Sequence, residues 1–220
     1  MRVNSKKAVL FTLLSLLVST AAGSETAMEW PAASAAAKKV EVSEASFKCL
    51  QNMQKTGKMY VDNLLGDLDR TLAVAQSANG GTFPPGSVVQ LLPGEAMVKL
   101  EKGANPATND WKFFVLDLSA EGSAIQQAGF EKVANPLGTC ISCHRQASAP
   151  QADMICAAGH ACPPVAFPGI SDTEALISAL QKMDPRCPRP DLLTDKEKIA
   201  LKKFAEVRRQ LEAARAGGRQ

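Results

Sequence analysis

Five consecutive residues, Cys140-Ile141-Ser142-Cys143-His144, constrain this chain more than any other feature, because its fold must present two thiols and an imidazole to one group. Two thiols separated by two residues can each add to one vinyl group of a haem, and the imidazole of the next residue can then reach the iron. The motif therefore predicts one covalently attached haem c, held through Cys140 and Cys143, with His144 as the proximal metal ligand. Half a zinc site would want a second close Cys or His pair. A dithiol redox pair would want a strand, the motif and a helix near the start of a thioredoxin-like unit. The sequence shows neither context.

The amino end fits this chemistry. Met1 to Lys7 carries Arg2, Lys6 and Lys7 without an acid, and Ala8 to Val18 is almost wholly apolar. That pattern reads as a secretory signal over residues 1–23, cleaved near Ala22 or Gly23, since a membrane helix needs roughly 20 apolar residues and this run stops sooner. The expected product is exported to the periplasm or an equivalent compartment and soluble, with no membrane contact after cleavage. Removing three basic residues takes the formal charge from +3 to about zero, which leaves no case for nucleic acid as a partner. The tail from Asp195 onward is locally basic, eight Lys or Arg against four acids, and reads as a solvated helical face.

An oxidising compartment also bears on the six cysteines. Two belong to the haem motif, and Cys49, Cys156, Cys162 and Cys187 make two disulfides. Of the three pairings, Cys49 with Cys187 and Cys156 with Cys162 is preferred, and pairing Cys162 with Cys187 is the alternative.

Along the chain, residues 24–42 are rich in Ala, Ser and Glu and read as a flexible leader before a folded unit over 43–216. From Phe47 to Ala75 the apolar positions recur at three and four, which predicts a helix weakened at Gly57 and Gly66. Asn79-Gly80-Gly81 and Pro84-Pro85-Gly86 force a turn. Ser87–Leu92, Ala96–Leu100 and Trp111–Leu118 then read as strands. Ser148 to Phe167, rich in Pro, Ala and Cys, shows no period and reads as a pinned loop. Ser171 with Glu174 predicts a capped helix ending before Pro185, and Thr194 with Glu197 opens a last helix whose stripe is Ala200, Phe204, Val207, Leu211 and Ala214. Just under 200 residues after the signal suffice for one sizeable core with helical additions. The expected fold is α+β, a small antiparallel sheet with flanking helices carrying the haem.

Beyond His144 the chain has one further histidine, His160, read as a structural or exposed loop residue. Met53, Met59 and Met183 fit core positions, which leaves Met97 and Met154 as candidate sulfur ligands. The stretch Thr82 to His144 resembles the cytochrome P-460 family and the beta-type cytochromes c-prime. It carries Pro84-Pro85-Gly86-Ser87-Val88-Val89, then Trp111-Lys112-Phe113-Phe114, then the haem motif near the domain's end. The resemblance implies an antiparallel sheet with flanking helices, His144 as the only protein axial ligand, and a distal face lined by Phe113 or Phe114. The family's enzyme branch oxidises hydroxylamine and ties a strand lysine to its haem. Here Gln90 and Leu91 stand where that lysine is expected, and Lys99 and Lys102 fall on a later segment, so the chain departs from the oxidase pattern. The 76 residues after His144 are also longer than the family implies. A class I cytochrome c, with Met183 as sixth ligand, is the rival plan. The expected function is single-electron transfer with a redox partner protein, binding of a small gas ligand, or both, without strong catalysis. Hydroxylamine oxidation is the enzymatic alternative.

Overall fold

The computed structural model describes residues 38–135, 138–147, 152–155, 165–188 and 192–217. The signal segment, most of the leader, His160, Cys156 and Cys162 lie outside the described residues.

Six strands form one antiparallel sheet in chain order: β1 (Gln54–Thr56), β2 (Met59–Asn63), β3 (Ser87–Gln90), β4 (Glu95–Lys99), β5 (Trp111–Ser119) and β6 (Gly122–Gly129). A second pair, β7 (Ala134–Asn135) with β8 (Gly138–Thr139), leads into α2 (Cys140–His144). The other helices are α1 (Leu68–Gln76), α3 (Thr173–Lys182) and α4 (Asp195–Gly217). The expected α+β class, an antiparallel sheet with flanking helices, is what the chain forms. Among the described residues, no helix is long and apolar enough to cross a membrane.

Both faces of the sheet are covered, which explains why β5 can bury consecutive aromatic residues. Side chains alternate across a strand, so Trp111 and Phe113 face one way and Phe114 and Leu116 the other. The first face buries Met59, Val61, Phe83, Val89, Met97, Trp111 and Phe113 beneath Ala75 of α1, Ile141 of α2 and Ile155. The second buries Val88, Ala96, Val98, Phe114 and Leu116 under Val40, Phe47, Leu50 and Met53. Each large side chain so buried contributes roughly 1.5–3 kcal/mol of transfer free energy.

The region read as a helix over Phe47 to Ala75 is mostly not one. Single 3-10 turns at Glu44–Ser46 and Leu50–Asn52 precede the β1–β2 hairpin, and only Leu68–Gln76 is α-helical. Gly57, read as a helix weakener, sits at φ +57° in the two-residue hairpin connection, a conformation that glycine adopts without steric cost. Met59, Val61 and Asn63 are buried in alternation with Tyr60 and Asp62, and this period of two overrides the spacing of three and four. Val40, assigned to the leader, is buried against the second face, and its N–H donates to the Glu101 carboxylate. Order thus begins ahead of Ser43.

The three expected central strands are present. β6 adds a fourth neighbour that the sequence reading missed, because Ser123 to Ala128 has a single large apolar side chain, Ile125, and is largely exposed at the sheet edge. Helices α3 and α4 pack on each other and on Leu91 and Leu92 through Phe167, Ile170, Leu176, Ile177 and Ala200. The cap of α3 is Asp172 rather than Ser171; its carboxylate accepts the Ala175 N–H at 2.9 Å. The Thr194 and Glu197 box of α4 forms in both directions, at 2.7 and 3.3 Å. Cys49 and Cys187 are bonded, S–S 2.06 Å, tying the start of the fold to the loop after α3. This excludes the alternative pairing of Cys187 with Cys162.

Candidate functional site

Helix α2 is a single five-residue turn set by its surroundings. Its Cys140 N–H donates to Val133 O at 2.9 Å, and Ile141 is its apolar anchor in the first-face core. Residues three and four apart share one side of a helix, so Cys140, Cys143 and His144 lie along one edge of α2. Neither Cys140 nor Cys143 is bonded to another cysteine, and Cys143 is exposed. Burial, with a further push from the nearby Glu95 charge, raises the Cys140 thiol to about 11. A reactive dithiol wants the opposite shift, toward thiolate at neutral pH. Glu95 is itself raised by burial, against a 2.7 Å hydrogen bond from the Asn135 amide.

His144 is aimed by two contacts. Its ring lies 5.3 Å from the Phe113 ring, and Nδ1 is 2.8 Å from the backbone oxygen of Met154. A carbonyl oxygen can only accept, so Nδ1 carries the proton and Nε2 presents its lone pair. Burial lowers the imidazole's pKa, which the Met154 bond opposes, and so favours the neutral ring. Neutral imidazole with one nitrogen fixed by a backbone carbonyl and the other free is the form that ligates a metal.

The segment supplying that carbonyl is held from the sheet. Asp153 and Met154 both have positive φ, 48° and 63°. The Asp153 carboxylate takes two 2.7 Å bonds from Lys99 Nζ and one of 2.9 Å from Phe83 N–H, while its carbonyl accepts Trp111 Nε1 at 2.8 Å. Lys99 also donates to Asn109 O at 2.6 Å and lies over the Trp111 ring. The ion pair is buried, with side chains only 5% and 4% exposed.

The structure therefore brings Cys140, Cys143, His144 and Phe113 together. Phe114 does not join them, because it faces the other side of the sheet, where its ring packs 5.0 Å from Phe47. Met97, opposite Phe113 on the neighbouring strand, shares the His144 face, as does Met59. Met53 is buried in the second-face core, and Met183, at the end of α3, is 50% exposed. Cys49, Cys187 and Asp184 lie close together, but both sulfurs are spent in the bridge and the carboxylate on Arg186. Sequence reasoning missed Asp153, Trp111 and the Met154 carbonyl. It noted Lys99 only as a strand lysine, although its place two residues after Met97 puts it on the same face. No protein-family model matches the chain, and no curated protein or solved structure does.

Proposed function

We propose that this chain is an exported monohaem c-type cytochrome, with Cys140 and Cys143 as thioether attachment points and His144 Nε2 as an axial ligand. The observation carrying the reading is the His144 geometry. In a turn bearing two free cysteines, the ring's proton is committed to Met154 O and the other nitrogen is left as a base. Such a haem, when bound, supplies one-electron redox chemistry and a site for a small gas ligand. Phe113 supplies an apolar wall beside the histidine, and Ile141 fixes the turn against the sheet. The sheet preceding the motif favours an α+β haem domain over the helical class I plan, and the exposure of Met183 weighs against its service as sixth ligand. The Cys49–Cys187 bridge fits an oxidising compartment.

The test is haem staining on a denaturing gel, with a pyridine haemochrome and an intact mass of the exported product. One haem per chain is expected, and Cys140→Ala/Cys143→Ala should abolish the stain. A double variant that still stains overturns the assignment. For gas binding, carbon monoxide added to the dithionite-reduced protein should change its spectrum at neutral pH. If it does so only in Met97→Ala or Met154→Ala, the iron is closed in the native protein. Turnover of hydroxylamine would move the reading to the oxidase alternative.

A further inference from the structure

We infer that the buried Lys99–Asp153 ion pair is a positioning device for His144, fixing the backbone carbonyl that receives the imidazole proton. The inference rests on the haem reading above and says which residues outside the attachment motif set the properties of its iron ligand.

Three anchors converge on Asp153 from three places on the sheet side. Lys99 on β4 grips both carboxylate oxygens at 2.7 Å, the Phe83 N–H ahead of β3 bonds one of them at 2.9 Å, and Trp111 on β5 holds the Asp153 carbonyl at 2.8 Å. The next carbonyl along the chain, that of Met154, is the one 2.8 Å from His144 Nδ1. Two successive residues with positive φ turn that carbonyl toward the ring, a backbone path that non-glycine residues hold only when their surroundings fix it.

A buried ion pair is a poor way to gain stability, since an apolar pair of similar volume often does as well. What it adds here is direction. Helix α2 has only five residues, so its own backbone is a weak reference for the imidazole. The anchors refer the ring instead to β4 and β5. A firmly held carbonyl keeps the Nδ1–H bond short, which makes Nε2 a stronger donor and fixes its aim. Loosening the carbonyl should weaken the iron–histidine bond and favour the reduced iron.

Three haem-loaded variants of the full chain, prepared beside the wild type, test this. Lys99→Met/Asp153→Asn removes both charges, so neither is left buried without a partner. Trp111→Phe removes the indole donor, together with part of a buried ring, and leaves both charges in place. Asp184→Asn/Arg186→Met removes a comparable buried pair on the opposite face and serves as control. Pyridine haemochrome reports haem content, thermal unfolding reports folding, and resonance Raman of the ferrous protein reports the iron–histidine stretch. Where a sixth ligand silences that band, the midpoint potential replaces it. The first two variants should keep one haem per chain, with the band at lower wavenumber or the potential raised, while the control keeps wild-type values. Folded, loaded variants with wild-type band and potential overturn the inference, and so does a control that shifts equally. If the charge-pair variant does not fold, the Trp111→Phe arm decides by the same two outcomes. Absence of haem from the wild type overturns the proposed function and this inference together, whereas haem with unmoved signatures overturns the inference alone.

Discussion

The two faces of the sheet carry ion pairs of similar chemistry in different settings. On one, Lys99 and Asp153 meet at 2.7 Å across 54 residues of chain; on the other, Arg186 and Asp184 meet at 2.8 Å within one loop. Asp184 also accepts the Leu50 N–H at 2.9 Å, and Arg186 reaches Phe47 O and Ser123 Oγ, so this second pair fastens the amino-terminal cover to the sheet. Beside it the Cys49–Cys187 bond closes the same seam covalently. The first face has no such bond among its described residues. Its cysteines are free and its anchors end on a histidine. Equivalent interactions thus serve holding on one side and aiming on the other, according to what lies next along the backbone.

The sharpest way to break this comparison is Asp184→Ala. It leaves the Arg186 guanidinium buried without a counter-charge, and breaking such a pair costs about 3–5 kcal/mol. Denaturant unfolding should show that loss, while haem staining of the folded fraction is unchanged. A loss below about 1 kcal/mol would mean that the apolar cluster and the Cys49–Cys187 bond hold the second face without the ion pair. Next in size is the bridge. Cys49→Ala/Cys187→Ala opens a loop spanning 138 residues, and such cross-links typically stabilise by about 2–4 kcal/mol. An unchanged midpoint in the double variant would remove the covalent half of the comparison.

The smallest expected effect lies in the helix pair. Burial alone would raise the Glu197 carboxyl, but hydrogen bonds from Ser178, Lys182 and Thr194 outweigh it and hold the pKa at about 2, below the ordinary 4.5. A carboxyl lowered in the folded state adds stability that is fully present above the unfolded pKa and is lost as pH falls toward 2. Glu197→Gln should therefore lower Tm by about 2–4 °C at neutral pH, with the gap to wild type closing in acid. A gap that persists at pH 2 would show that the carboxylate charge is not its source.

How much of this could be read in advance depended on how local each signal was. The Cys140 to His144 motif is five adjacent residues, and the β3, β4 and β5 strands carry their apolar runs between strong turn signals. The spacing from Phe47 to Ala75 misleads because Phe47, Leu50 and Met53 line up by coincidence on a cover segment whose only helical part is a single 3-10 turn. The alternation of Met59, Val61 and Asn63 is visible only when that window is taken by itself. The resemblance leaves Phe113 and Phe114 as alternatives, yet adjacent strand residues face opposite ways, and only Phe113 lies on the His144 side. The Asp153 anchor could not be seen at all, since nothing near it in sequence names Lys99, Phe83 or Trp111 as its partners.

The bridge also sets a problem of order. In a chain that emerges amino end first, Cys49 appears 138 residues ahead of Cys187, and four other cysteines, Cys140, Cys143, Cys156 and Cys162, appear between them. Oxidation in order of appearance would join Cys49 to one of these earlier thiols. The native bond is therefore a late event, reached when the four earlier thiols are still reduced or otherwise engaged as Cys187 arrives, or by exchange from an earlier pairing.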